Sequence, residues 1–193
     1  MAFTAKGNET RTRIIEGAAR VLRDRDFAPL TLDDIRAATS TSKSQLFHYF
    51  PEGKDELLLE VMRREAQRVL DDQEPEIGRL DSWASWNNWR DVVIERYRQQ
   101  GVRCPLNSLM SQLGSTPGAA AVTNALLERW GGLLAEGISV MQARGEMRSD
   151  RTPHHLAAGV IAGIQGGVVV MWSTSTTEHL EASLDLLMTA LRA

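Results

Sequence analysis

Few side chains in this sequence have the spacing that catalysis or metal binding requires. The four histidines, His48, His154, His155 and His179, are not arranged as metal ligands. The single cysteine, Cys104, has no histidine near it in the sequence, and neither a glycine-rich phosphate loop nor a GxSxG elbow occurs. We therefore expect no catalytic residues, no bound metal and no cofactor.

A short polar stretch has instead the chemistry needed to bind base pairs of double-stranded DNA. Lys43, Ser44 and Gln45 are consecutive, and His48 follows about one helical turn later. Lysine can donate to guanine O6 and N7, glutamine can pair with adenine N6 and N7, and serine is adaptable. On a helix, these four side chains could contact base edges in a major groove.

Two capping boxes predict the helices that would position these side chains. Ser42 followed by Gln45 opens a helix over 43–49, and Thr31 followed by Asp34 opens one over 32–38. Two short helices joined by a tight turn, with a supporting helix on each side, form a helix-turn-helix whose second helix enters the major groove. The exposed N–H groups after Ser42 favour a phosphate, and Lys54 provides a second anchor.

Apolar residues recur at helical spacing along most of the chain, and no stretch has the alternation of a strand. Pro117 and Pro153 suit first helical turns, with Thr116 and Thr152 as N-caps. Leu46, Phe47 and Phe50 are expected to face inward and to fix the angle of the second short helix. We predict about nine helices, over residues 10–25, 32–38, 43–49, 54–72, 81–100, 105–113, 117–144, 153–173 and 178–191.

Composition sets the class of protein. The chain has 193 residues, of which 42% are hydrophobic and 24% charged, as in soluble globular proteins. We find no apolar leader and no run of 18 uncharged apolar residues, so we expect a cytoplasmic protein that does not contact a membrane. Residues 1–54 carry nine basic and seven acidic side chains, whereas the rest carry thirteen and eighteen. This asymmetry fits a polyanion at one end, and a solvated helix face explains it about as well.

Two stretches carry a more specific signal: LTLDDI at residues 30–35 and SKSQLFHYFP at residues 42–51, followed by Lys54, Glu56 and Leu57. Residues 10–70 thereby resemble the DNA-binding domain of the TetR family of bacterial transcriptional repressors. FPEGK at 50–54 and RCPL at 103–106 are similar to the LmrA/YxaF-like subgroup. The resemblance implies base-edge and backbone contacts from Lys43, Ser44, Gln45 and His48, and phosphate contacts from Thr31, Tyr49 and Lys54.

The chain departs from the family pattern at several positions. Ser40-Thr41 replaces the usual Gly-Val of the turn, and Phe47 replaces a tyrosine whose hydroxyl contacts phosphate. Tyr49 stands where the family has histidine, and Asp33 would repel phosphate. The alternative function is therefore a helical small-molecule-binding or interaction protein that no longer reads DNA.

A second group of large side chains predicts a ligand chamber between the helices of residues 80–172. Trp83, Trp86 and Trp89 repeat every three residues, with Val93 following. Such a stripe more often forms core than a binding site, but buried indoles need polar partners and methionines line adaptable pockets. The resemblance favours a pocket here. For a small aromatic or apolar effector we expect contacts from Trp86, Trp89, Val93, Asn107, Met110, Trp130, Met141 and Trp172.

Glycines inside a predicted helix suggest a homodimer. Each internal glycine costs about 1 kcal/mol relative to alanine, so close helix packing should offset that cost. Packing within one chain is the alternative. We expect the dimer contact at Gly159, Gly163, Gly166, Val170, Leu184 and Leu187. Together these features predict an all-α transcriptional repressor that an inducer releases from a palindromic operator. We expect a helix-turn-helix DNA-binding domain over 1–53 and a helical ligand-binding and dimerisation domain over 54–193.

Overall fold

The computed structural model describes residues 3–24, 31–101, 105, 110 and 112–193. Within these residues the chain is helical and contains no strand, apart from one isolated bridge between Met147 and Arg192. The all-α prediction is confirmed. The described α-helices are α1 (Ala5–Arg23), α2 (Leu32–Thr39), α3 (Lys43–Tyr49), α4 (Lys54–Asp71), α5 (Trp83–Gln100), α6 (Ala119–Ala143), α7 (Pro153–Thr174) and α8 (Glu178–Ala190). A short 3-10 helix, Glu76–Arg79, precedes α5.

Local capping signals place most helix starts. Thr152 accepts from the backbone N–H of His155, with Pro153 in the first turn, as predicted. The first helix begins five residues earlier than predicted, because Thr4 caps it by accepting from the N–H of Gly7. The predicted helix over 105–113 lies mostly outside the described residues.

The N-cap predicted at Thr116 is wrong. α6 begins at Ala119, after Gly118 in the left-handed region with φ of 83°. Thr116 is buried in the preceding turn, where its hydroxyl lies 3.2 Å from Oε1 of Gln112. Because the threonine is held by this turn, it does not cap the helix that follows.

The chain forms two compact units. One comprises residues 1–69 and 103–124, and the other comprises residues 70–102 and 125–193. The predicted boundary between a DNA-binding domain (1–53) and a ligand-binding and dimerisation domain (54–193) concerns function, and it stays a prediction. In the first unit, α1 to α4 share one apolar core that places α3: its buried members are Ile14, Ile15, Ala18, Ala19, Leu22, Ile35, Leu46, Phe50, Leu57, Leu58 and Val61.

In the second unit, α7 and α8 pack closely because two glycines of α7 have no side chain. A Cβ atom at Gly163 would lie 2.3 Å from Cδ1 of Leu187, and one at Gly167 would lie 2.5 Å from Cα of Leu180. The Ser183 hydroxyl also donates to the carbonyl of Gly163 at 3.1 Å. These two glycines therefore serve packing within one chain.

α7 is also long and apolar enough, by length and composition, to cross a membrane, and no other described helix is. A core helix of a soluble protein passes the same test. In this structure 39% of the apolar stretch is buried, and Val160, Ile164 and Val168 are among the buried residues of α7.

Candidate nucleic-acid interface

α3 exposes polar side chains from a firmly anchored helix. Leu46 and the following Phe50 are 1% and 0% exposed, and both lie in the core of the first unit. Burying a side chain of this size stabilises a fold by about 1.5–3 kcal/mol. The exposed polar residues of α3 and its cap are Ser42, Lys43, Ser44, Gln45 and His48. The predicted polar face is thus present and held in a fixed orientation.

Phe47 does not face inward as the sequence suggested, because its side chain is 39% exposed. It lies one helical turn after Lys43 and beside the turn that follows α3, where a Cβ on Gly53 would be 3.5 Å from its ring. The inward prediction was wrong because a seven-residue helix has room for few core contacts, and Leu46 and Phe50 make them.

The capping box at the start of α3 involves one of the predicted base-reading side chains. Ser42 Oγ accepts from the N–H of Gln45 at 3.1 Å, and the N–H of Ser42 donates to Oε1 of Gln45 at 3.2 Å. A carbonyl oxygen has two lone pairs, so Oε1 can accept one further bond while the amide Nε2 donates. A bidentate adenine contact by Gln45 is therefore compatible with the cap only if Oε1 is shared.

The turn between α2 and α3 shows how the sequence replaces the usual Gly-Val. Ser40 adopts the left-handed conformation with φ of 50°, and its N–H donates to the carbonyl of Arg36. Thr41 is buried, and its hydroxyl donates to the carbonyl of Thr39 at 3.2 Å. The Arg13 guanidinium donates to the same carbonyl. The Thr41 hydroxyl, which a valine at this position would not have, is thus satisfied by a hydrogen bond.

Two residues at the start of α2 were expected to affect phosphate binding: Thr31 as a contact and Asp33 as a repelling charge. Thr31 caps the helix and is engaged with Asp34, whose carboxylate accepts from the N–H of Thr31 at 2.9 Å. Asp33, expected to repel phosphate, is paired with Arg36 at 2.7 Å. The guanidinium offsets the negative charge of Asp33, so the repulsion is weaker than the sequence implied.

Tyr49 and Lys54 lie at the far end of α3 and the start of α4. Tyr49 is half-buried, and its ring packs against those of His48 and Phe3. Lys54 is the first residue of α4 and is half-buried as well. Between them, Gly53 turns the chain with φ of 84°. Sequence reasoning did not include Phe3 in the site, because nothing local connects it to α3.

A network of charged side chains joins α4 to α1. Arg23 donates to Oε1 of the fully buried Glu65 at 2.5 Å, while Arg64 pairs with Glu16 at 2.5 Å and Arg68 pairs with both glutamates. Burial raises the pKa of Glu65, and the two arginines only partly oppose it. Burial acts in the same direction on Glu16, but hydrogen bonds and charge from Arg64 and Arg68 lower its pKa overall.

The predicted ligand residues of the second unit are mostly core. Trp86, Trp89 and Trp130 are 0% exposed, and Val93 and Met141 are buried as well. Two predicted ligand residues belong instead to the first unit: Met110 is exposed, and Asn107 lies outside the described residues. The role of these residues in ligand binding stays a prediction.

One glutamine satisfies two of the buried indoles. Oε1 of Gln73 accepts from Nε1 of Trp89 and from Nε1 of Trp130, at 3.0 Å each. Nε1 of Trp86 and of the half-buried Trp172 is buried without a hydrogen-bond partner in the described parts of the chain. Sequence reasoning missed Gln73, because it lies 57 residues from Trp130.

Open grooves occur among the described residues of the second unit. One of about 460 Å³ is lined by Tyr97, Arg98, Gly101, Met171 and residues 175–177. Another of about 440 Å³ is lined by residues 77–81 together with Ser85, Leu133, Glu136, Gly137 and Val140. Volumes of this size are within the range of small-molecule sites, about 300–1,000 Å³. No group of histidine, cysteine and acidic side chains suited to a metal ion occurs among the described residues.

The predicted dimer residues divide into two sets. Leu184 is fully buried within the subunit, and Gly163 and Leu187 contact each other between α7 and α8. A Cβ atom at Gly159 or Gly166 would meet no described atom within 4 Å. Close to Gly166 on α7, Val169 and Val170 are 52% and 36% exposed, and Leu186 of α8 is 71% exposed. These contacts do not test the dimer prediction, and Gly159, Gly166 and Val170 are the predicted residues that are exposed.

Comparison with known proteins supports the interpretation of the first unit. Residues 14–61 match the profile of bacterial regulatory proteins of the tetR family. An uncharacterized HTH-type transcriptional regulator of Mycobacterium tuberculosis is 24% identical over 138 residues, which cover 65% of this chain and 68% of that protein. The LmrA/YxaF-like subgroup stays a prediction, and Arg103, Cys104 and Leu106 of its motif lie outside the described residues.

The likeness extends over nearly the whole chain in solved structures. A TetR transcriptional regulator from Chloroflexus aurantiacus is similar with a TM-score of 0.80 and 26% identity, covering 96% of each chain. A regulatory protein TetR from Rhodobacter sphaeroides has the same fold with a TM-score of 0.80 at 20% identity, covering 94% of this chain and 98% of its own. The profile match shows that residues 14–61 form a DNA-binding domain of the TetR type, and this shared fold supports a DNA-binding regulator of the TetR family.

Proposed function

We propose that the protein is a homodimeric transcriptional repressor that binds a palindromic operator and is released by a small aromatic or apolar inducer. The observation that carries the proposal is the exposed polar face of α3, with Lys43, Ser44, Gln45 and His48 held above the buried anchors Leu46 and Phe50. Fixed side chains on a short helix are what direct readout in a major groove requires.

DNA binding is tested by gel shift of duplexes that flank the protein's own gene, with a scrambled duplex of equal length as control. We expect retention of one flanking duplex at salt concentrations that release the scrambled one. Phosphate contacts bind every sequence, and base contacts add preference only for the correct one. A protein that retains neither duplex, even in dilute buffer, is instead the helical small-molecule-binding or interaction module.

The dimer proposal is supported by exposed small and apolar residues of these two helices, which we call the α7/α8 face: Gly159, Gly166, Val169 and Val170 on α7, and Leu186 on α8. Small residues let helices of two subunits approach closely, and two-fold symmetry uses the same patch twice. A dimer would present two α3 helices to half-sites about 34–36 Å apart, or a multiple of that distance.

Sedimentation of a charged variant tests this face. Val170→Asp places a carboxylate on the open part of α7 and should convert a dimer into a monomer. Glu178→Asp, at the exposed start of α8, keeps the charge and is the control. A wild-type chain that sediments only as a monomer would refute the dimer.

An inducer site in the second unit is supported by polar groups that the described residues leave unsatisfied. The buried Nε1 of Trp172 has no partner there, and the adjacent Met171 lines the 460 Å³ groove with Tyr97. Aromatic or apolar ligands suit such linings when a few polar groups fix their orientation. Titration of flat aromatic compounds, followed by tryptophan fluorescence and calorimetry, tests the proposal, and saturable binding with loss of the DNA complex is expected.

Release of DNA requires that the inducer bind one conformation better than the other. α4 is continuous from Lys54 to Asp71, and Gln73 follows it with bonds to two buried tryptophans. We propose that this segment carries the coupling between ligand and DNA. By linkage, operator DNA must then weaken inducer affinity by the same factor that the inducer weakens DNA affinity.

A further inference from the structure

Three aromatic rings pack together at the junction of α3 with the residue before the α1 cap. We call them the aromatic triad: Phe3, His48 and Tyr49. The ring centroids of Phe3 and Tyr49 are 5.1 Å apart, those of Phe3 and His48 are 5.9 Å apart, and those of His48 and Tyr49 are 4.9 Å apart. Tilted and edge-to-face geometries at these distances are favourable for aromatic pairs.

The start of α1 is shaped to let Phe3 reach these rings. Thr4 caps α1, and Gly7 is buried in its first turn. A Cβ atom at Gly7 would lie only 3.1 Å from Cβ of Phe3 and 3.4 Å from the Thr4 hydroxyl. Glycine is about 1 kcal/mol less favourable than alanine inside a helix, so its presence here is explained by the space it leaves for Phe3.

The triad includes the one predicted base-reading side chain that lies late in α3. His48 is exposed, whereas Tyr49 is half-buried and Phe3 is half-buried. Its imidazole contacts a ring of its own helix and a ring from a residue 45 positions earlier in the chain. The same end of α3 is held from α1 by Arg11, whose guanidinium lies 5.2 Å from the ring centroid of Phe50. The contacts with Phe3 and Tyr49 therefore favour one orientation of the His48 imidazole before any DNA is present.

We propose that Phe3 is a positioning residue for DNA recognition, which holds the His48 imidazole in the orientation that meets the base edge. This inference rests on the proposed function, because it concerns how the same α3 face reads DNA. A side chain already ordered in the free protein loses less freedom on binding, which strengthens the complex. Phe3 carries no charge, so it contributes to sequence preference and not to the attraction for phosphates.

The test begins with the full-length wild-type protein and a random pool of duplexes, from which the preferred duplex is selected. Affinity for that duplex and for a scrambled one is then measured at fixed salt for wild type, Phe3→Ala and Phe3→Tyr. We expect Phe3→Ala to lose about three- to tenfold in affinity for the preferred duplex, as expected for one newly mobile side chain. Affinity for the scrambled duplex and the salt slope should be unchanged, and Phe3→Tyr, which keeps the ring, should restore the preference.

A double-mutant cycle shows whether Phe3 acts through His48. In a His48→Ala background, Phe3→Ala should cause no further loss, because the side chain that it positions is gone. An additive loss, or an equal loss on preferred and scrambled duplexes, would mean that Phe3 only stabilises the fold, and the proposal would be wrong. Full retention of preference by Phe3→Ala would also overturn it. If the wild type selects no sequence at all, the proposed DNA-binding function is wrong. If it selects a sequence and Phe3→Ala keeps the full preference, only the proposed role of Phe3 is wrong.

Discussion

Replacing Gln73 by methionine should destabilise the second unit, because a single side-chain oxygen satisfies two buried indoles. Methionine has similar length and adaptable packing, but it lacks the amide oxygen. The change leaves Nε1 of Trp89 and of Trp130, both 0% exposed, without their 3.0 Å hydrogen bonds. Each unsatisfied buried donor costs about 1–3 kcal/mol, and two donors that shared one acceptor are expected to cost less than twice that.

We therefore expect Gln73→Met to lower the free energy of unfolding by about 3 kcal/mol, between the typical cost of about 2 kcal/mol for one donor and about 4 kcal/mol for two. In a chain of this size, 1 kcal/mol shifts Tm by about 2–4 °C, so the Tm of the second unit should fall by about 6–12 °C. Circular dichroism and tryptophan fluorescence during urea unfolding give both quantities. Tryptophan emission should also change in the folded state, because two indoles lose a partner.

The matched control is Gln99→Met, since Gln99 is exposed and bonds Glu95 on the surface of α5. Its effect should stay within about 0.5 kcal/mol. A cycle with Trp130→Phe separates the hydrogen bond from packing, because removal of the indole N–H should cost less in the Gln73→Met background. A loss below about 1 kcal/mol in Gln73→Met, or the same loss in both variants, would refute the assignment of Gln73 as the shared acceptor.

Three further predictions concern the first unit. Ser40→Gly should stabilise the first unit by about 0.5–1 kcal/mol in urea unfolding, because Ser40 has φ of 50°, where an L residue is disfavoured. Ser40→Ala should bring no gain, and a glycine variant less stable than wild type would contradict this prediction. The pKa of Glu65 is raised above its ordinary value of 4.5, so wild type is most stable with respect to this group below that pH and loses stability as pH rises. Glu65→Gln should lack this loss and gain on wild type as pH rises above about 4.5 in thermal unfolding, and a difference that does not change with pH there would contradict the assignment. Lys54→Ala should weaken binding to all duplexes and reduce the salt slope by about one, whereas Gln45→Ala should relax preference at one base position. Equal losses on every duplex from both variants would overturn the roles of Lys54 as a phosphate contact and Gln45 as a base contact.

Much of the first unit was predictable because its signals are local. A capping box needs only residues three apart, and helical periodicity needs only one turn, so the bounds of α3 were predicted to the residue. The exposure of Phe47 was not predictable, since it depends on which residues of α3 the other helices cover. The left-handed conformation of Ser40 was hidden as well, because glycine usually marks it.

In the second unit, composition identified the important side chains but not their surroundings. The stripe of tryptophans was visible, yet whether it lines a chamber or fills a core depends on its neighbours. The structure pairs Trp89 and Trp130 with Gln73, a residue of ordinary appearance in the sequence. The groove beside Met171 had no sequence signal, because its lining comes from two segments, 97–101 and 171–177, that are distant in the sequence.

The sequence by itself determined the helices, the helix-turn-helix and the polar residues of its second helix, because short-range hydrogen bonding and periodicity encode them. Tertiary structure decided which glycines of α7 pack against α8 and which remain open, since Gly163 meets Leu187 and Gly166 meets no described atom. It also decided that Phe3 reaches His48. Contacts between distant residues depend on how whole helices pack, and no local pattern in a single sequence specifies that packing.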